Sequence, residues 1–168
     1  AAFNPDRGAG TQGDGGFGEG SGSAWDFAIK FAPSDGLLIA AGIGKLEHGT
    51  AGASDVDEDT LAVTYATGPV TVGAQISHDD TSGGTEHETK AMGITFNVSD
   101  NMSVGYQRLV TEYKRTTTND VDTTYSGLSA SYNMGSIGIK FVSNDVTNIN
   151  GTSGASDEAK ELSLSFAF

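Results

Sequence analysis

Nine segments of this chain place an apolar side chain at every second position, with small or polar residues between. Successive strand side chains point to opposite faces, so period two specifies β-strands that divide an oily environment from a wet one. The last segment pairs Leu162, Leu164, Phe166 and Phe168 on one face with Glu161, Ser163, Ser165 and Ala167 on the other. The first sets Trp25, Phe27, Ile29 and Phe31 against Asp26, Ala28 and Lys30. Between them the apolar sets are Leu37–Ile43, Leu61–Tyr65, Val70–Ile76, Met92–Val98, Met102–Tyr106, Leu128–Tyr132 and Ile137–Phe141, each taken at alternate positions. The connections alternate short and long. Tight turns fall near Gly36, Gly68-Pro69, Asp100-Asn101 and Gly135, and polar loops at about 46–58, 79–88, 115–120 and 145–158. That rhythm predicts a meander of hairpins with every long loop at one end.

Composition narrows the class. A formal charge of −13 disfavours a nucleic-acid partner, which requires a basic footprint. No run approaches the ~20 apolar residues of a membrane helix, and mean hydropathy is −0.24. Barrel strands hide their apolarity in alternation, so neither fact excludes a membrane. The absence of Cys rules out a disulfide scaffold. No leader sequence is recognisable. Residues 1–22 are glycine-rich without periodicity and read as a long loop; residues 23–168 read as the strands of one domain.

Alternation alone does not say which face is wet. A soluble sandwich buries the apolar face, whereas a transmembrane barrel turns it to lipid. Three features favour the second. Aromatic residues sit at strand ends, Trp25 at the long-loop end and Phe31, Tyr65, Phe96, Tyr132, Phe166 and Phe168 at or near the short-turn end, as in two interfacial girdles. Each span is about ten residues, the length a tilted membrane strand needs. Charges on the polar face stand deep in strands, where a dry core would not solvate them. The expected fold is therefore an all-β antiparallel transmembrane barrel. Asp26, Lys30, Gln75, Asn97, Gln107 and Lys140 are its candidate pore-lining residues.

Nine strands put the two ends on opposite sides of the membrane, whereas bacterial barrels have even counts. The chain is therefore expected to be the C-terminal part of a larger barrel, unless 101–113 has been overcounted as a strand. Within that stretch Leu109-Val110 breaks the alternation, which suggests a β-bulge.

Chemical motifs are sparse. The Asp55–Asp59 acidic run is a candidate Ca²⁺ site, though it lacks EF-hand spacing and a solvated loop is the plainer reading. His48, His78 and His87 match no zinc spacing and read as lone surface residues. Arg7 and Arg108 are candidates for a lumen or subunit contact, or, for Arg108, a place at the bilayer edge. No phosphate loop and no GxSxG elbow is present, so no enzymatic activity is expected.

The hairpin rhythm, the girdles and the terminal Leu162–Phe168 strand together resemble the general porins of Gram-negative bacteria. The closest flavour is the acidic, glycine-rich type of α-proteobacteria such as Rhodobacter. The resemblance covers about residues 23–168 and implies a homotrimer of barrels with about 16 strands in the outer membrane. It implies lipid and lipopolysaccharide as surroundings, and passive diffusion of small hydrophilic solutes. It also implies an infolded constriction loop upstream of the residues given, and recognition of the Phe168 strand by the barrel-assembly machinery. Few lumen bases against many loop acids suggest a mild cation preference. The competing readings are a structural or adhesive β protein, as a soluble sandwich or a small non-porin barrel.

Overall fold

The computed structural model describes residues 2–4, 23–47, 54–81, 84, 86–114 and 121–167. They form one antiparallel sheet of ten strands in sequence order. The strands are β1 (Ala2–Asn4), β2 (Ala24–Ser34), β3 (Leu37–Leu46), β4 (Val56–Thr67), β5 (Val70–Thr81), β6 (Glu86–Ser99), β7 (Met102–Lys114), β8 (Thr123–Met134), β9 (Ile137–Thr147) and β10 (Ser156–Phe166). Every neighbour pairs with the next along the chain, and among the described residues no ladder joins β10 to β1 or β2. The sheet is thus an open, continuous wall.

The short connections follow β2, β4, β6 and β8. Glycine supplies the left-handed backbone at Gly36 (φ 76°), Gly68 (φ 53°) and Gly135 (φ 57°). Adjacent hairpins are tied at this end by one repeated backbone bond. The carbonyls of Gly36, Pro69, Asn101 and Ser136 accept from the N–H groups of Ala66, Asn97, Asn133 and Ala167 at 2.8–2.9 Å. Each tie occupies a turn carbonyl and a strand-end donor that the ladder itself leaves over.

The register confirms the two-faced pattern. Phe31, Ile39, Val63, Ala74 and Met92 stand in one cross-strand row, and Lys30, Ala40, Ala62, Gln75 and Ala91 in the next row on the other face. The apolar face covers nothing. Val56, at 8% exposure, is the one buried hydrophobic side chain among the described residues, while Phe31 is 60% and Leu162 72% exposed. A sandwich would pack this face against a second sheet, and the described residues supply none. The aromatic residues Trp25, Phe31, Tyr65, Phe96, Tyr132 and Phe166 all lie exposed on this apolar face. Phe168 lies outside the described residues.

The structure corrects the sequence reading in four places. Ala2–Asn4, read as loop, form a three-residue strand that pairs with the long-loop end of β2, beside the nine-strand meander that the sequence predicts. No bulge occurs at Leu109-Val110: the β6–β7 ladder runs unbroken from Lys114 to Ser103, and its irregularity lies between Asn97 and Ser99. Most of the polar stretch at 79–88 is strand, in β5 and β6. The acidic run enters β4, which sends Asp57 and Asp59 to one face and Glu58 to the other, so its carboxylates do not converge as a chelating loop would.

The turn ties generate a prediction. A Cβ at Gly36 would stand 2.1 Å from the Ala66 carbonyl oxygen, whereas one at Gly135 would meet nothing within 4 Å. Gly36→Ala is expected to cost about 1–3 kcal/mol, more than Gly135→Ala, in urea unfolding of the detergent-folded protein followed by Trp25 fluorescence. Equal losses would show that the tie has no steric consequence.

Candidate functional site: the polar wall and its rim

Among the described residues the seven glycines inside strands are Gly42, Gly44, Gly73, Gly93, Gly105, Gly127 and Gly138, and the register places all of them on the polar face. Without side chains they leave that wall low and wide. Where neighbours are longer, they lean over the glycines. A Cβ on Gly127 would stand 2.7 Å from Asn144 Oδ1 and 3.0 Å from Gln107 Nε2.

The wall's hollows open on this polar side. One of about 750 Å³ is lined by Gln75, Gln107, Leu109, Tyr125, Asn144 and Asp157 among others. A second, of about 410 Å³, shares Thr64, Gly73, Gly93, Gln107, Gly127 and Asn144 with it and adds Lys140. A third lies against Asn97 at the short-turn end. Asp26, Lys30, Gln75, Asn97, Gln107 and Lys140 thus share one face. The last four border the hollows, whereas Asp26 and Lys30 stand on β2, away from them.

Hydroxyls line the upper wall. Thr60, Ser77, Thr89, Thr111 and Thr123 occupy one unbroken cross-strand row, with Thr89 and Thr111 Oγ1 atoms 3.0 Å apart. The row ends in a pinned loop. Thr123, the one fully buried side chain among the described residues, donates to the Asn148 carbonyl at 2.6 Å and accepts from the Gly151 N–H at 3.0 Å. Asn148 and Asn150 both take left-handed backbone at the 3-10 turn Ile149–Gly151. Asn148 Nδ2 donates to the Asp122 carbonyl at 3.1 Å, and its Oδ1 accepts from Gly154 N–H at 3.0 Å. The connection between β9 and β10 is therefore built onto the long-loop end of β8 on the polar side.

The apolar face has its own rim. Beyond the apolar band, toward the long loops, cross-strand rows become charged. His78 lies between Asp59 and Glu88, directly opposite both in register, with Nδ1 3.0 Å from Asp59 Oδ2 and Nε2 2.9 Å from Glu88 Oε2. Lys90 continues the chain to Glu88 and, at 2.9 Å, to Glu112; Lys114 meets Glu86 at 2.7 Å. These pairs tie β4, β5, β6 and β7 outside the lipid-facing stretch. His78 is thus not the lone residue the sequence suggested. His87 is not lone either: it faces the polar side, with its ring edge-on to Tyr113 at 4.8 Å. His48 and Arg7 lie outside the described residues. Arg108 stands on the apolar face at the edge of the band, in register with Met92 and Ser126.

Both ring nitrogens of His78 donate only when the imidazole is charged. Hydrogen bonds to Asp59 and then Glu88 raise its pKa above the ordinary 6.5. Bonds from Lys90 and then His78 lower that of Glu88 below the ordinary 4.5. A raised imidazole contributes fully below its unfolded value and fades as pH rises through the folded one; a lowered carboxylate contributes fully above its unfolded value and fades as pH falls through the folded one. The rim is therefore tied most firmly between pH 4.5 and 6.5. The urea midpoint of the folded protein is expected to fall on the alkaline side of this window, and His78→Gln to flatten that alkaline limb. An unchanged limb in the variant would assign it to another group.

Three residues of this wall escaped the sequence reading. Leu109 had been obscured by an apparent break in alternation, and Tyr125 and Val146 lay beyond the spans assigned to their strands. All three face the polar side in one row.

Comparison with known proteins agrees with this architecture. Two solved structures of OmpT from Vibrio cholerae share the fold. The outer-membrane expressed form has 14% identity and a TM-score of 0.64, covering 84% of this chain and 54% of that one. The in-vitro folded form has 17% identity and a TM-score of 0.56, covering 85% and 51%. The chain thus spans about half the length of these structures. No curated protein matches it in sequence. The expectation of no enzymatic activity is corrected here: it rested on missing hydrolase motifs, and the likeness to OmpT establishes a shared fold without excluding catalysis. The family model of the Gram-negative porins matches residues 1–161. The protein is an outer-membrane β-barrel protein, and it belongs to the Gram-negative porin family.

Proposed function

We propose that the chain forms part of the wall of a water-filled channel for passive diffusion of small hydrophilic solutes and ions. The observation that carries this reading is the segregation of faces: glycines, hydroxyls and amides share the side with the hollows, while the apolar side chains stand uncovered on the other. A face that must meet lipid and a face that meets water are what a pore wall needs. Asp26, Lys30, Gln75, Asn97, Gln107 and Lys140 are its pore-lining residues in this reading, and the exposed aromatic residues of the apolar face are its interfacial girdles. Kinship with the acidic, glycine-rich porins of α-proteobacteria rests on composition.

The channel prefers cations. Among the described residues the wet face carries Asp26, Glu58, Asp79, Asp157 and Glu161 against Lys30 and Lys140. Glu58 and Asp79 stand directly opposite each other, a like-charged pair that raises the local cation concentration. In a planar bilayer the full-length protein is expected to conduct in steps, with a KCl-gradient reversal potential of the sign set by cation flow. Glu58→Gln with Asp79→Asn is expected to move that potential toward zero. An anion-selective potential would contradict the preference, and no conductance would contradict the channel.

A further inference from the structure

The most apolar part of the polar wall is one cross-strand row. Ala91 pairs with Leu109, Leu109 with Tyr125, Tyr125 with Val146, and Val146 with Asp157. All five residues line the larger hollow, whose floor beside this row is Gly93, Gln107, Gly127 and Asn144. An aromatic ring, two aliphatic side chains and a carboxylate therefore stand on consecutive strands within one concavity. The Tyr125 side chain is not packed away, being 41% exposed.

Chemistry selects the occupant. Strands are spaced by about 4.8 Å, so Tyr125 and Asp157, two strands apart, are separated by about 10 Å across the sheet. An organic cation with a phenyl-sized body fits that span, its apolar part against Leu109, Tyr125 and Val146 and its charge toward Asp157. A cation near the Tyr125 ring also gains from the ring quadrupole. The nearest acid on the same face of β10 is Glu161, two rows away, and Lys140 lies three rows away toward the short turns. The local field therefore favours positive charge.

We propose that the Leu109–Tyr125–Val146–Asp157 row is a transient binding site for organic cations carrying an apolar body, so that such solutes are retained in passage where inorganic cations are not. This rests on the channel reading above and adds a solute class to it.

The test uses the full-length protein in a planar bilayer, with benzyltrimethylammonium as the probe. The probe is expected to interrupt the potassium current. Tetramethylammonium, with the charge alone, and benzyl alcohol, with the ring alone, are expected not to. Tyr125→Ala and Asp157→Asn are each expected to weaken the block about fivefold. Tyr125→Phe keeps the ring and is expected to retain it, as is Tyr106→Ala on the opposite face of β7. Equal block by tetramethylammonium or benzyl alcohol, or block indifferent to both Tyr125→Ala and Asp157→Asn, overturns the site. Salt conductance without block overturns the site and leaves the channel standing. Absence of any salt conductance overturns the channel reading, and the site with it.

Discussion

In hydrocarbon a backbone N–H or C=O has no water to turn to, and each one left unpaired costs several kcal/mol. That constraint organises this chain. The antiparallel ladder runs from β2 to β10 along nearly the whole length of each strand. At the short-turn end the leftover carbonyls are met by the next hairpin. Once the backbone is satisfied within the sheet, its side chains are free to serve two different solvents.

The two faces answer that freedom differently. The apolar face carries large side chains that no other described residue covers, as the outer face of a membrane barrel requires. The polar face carries every strand glycine among the described residues, and therefore room for water. Its charges stand among hydroxyls and amides. Beyond the apolar band the demand for an oily face ends, and cross-strand ion pairs take over on the same side of the sheet. Between wall and mouth, Thr123 and Asn148 fix a connection that is otherwise made of small polar residues.

How much of this could be read in the residues follows from the same physics. Where lipid meets the strand, one face must be apolar and the other need not be, so Leu61-Ala62-Val63-Thr64-Tyr65 reveals both the strand and its register. Where both faces meet water, the ladder persists and the alternation disappears. That is why Val56–Glu58, Asp79–Thr81 and Glu86–Glu88 looked like loops and are strands. It is also why the His78 bridge was invisible: its partners lie 19 and 10 residues away and meet only through the register. Leu109 misled in the opposite sense, as an apolar residue on the wet face of a regular ladder. The Thr123 pin depends on a left-handed asparagine 25 residues on, Asn148, for which local sequence carries no signal.

The central claim is that the side bearing the hollows faces water and the other faces lipid. The chain has no Cys of its own, so single-cysteine variants at adjacent β7 positions test it directly. In liposome-embedded full-length protein, Gln107→Cys is expected to react with a membrane-impermeant thiol reagent and Tyr106→Cys to remain unlabelled until detergent is added. Ready labelling at Tyr106→Cys with protection at Gln107→Cys would reverse the faces and contradict the account.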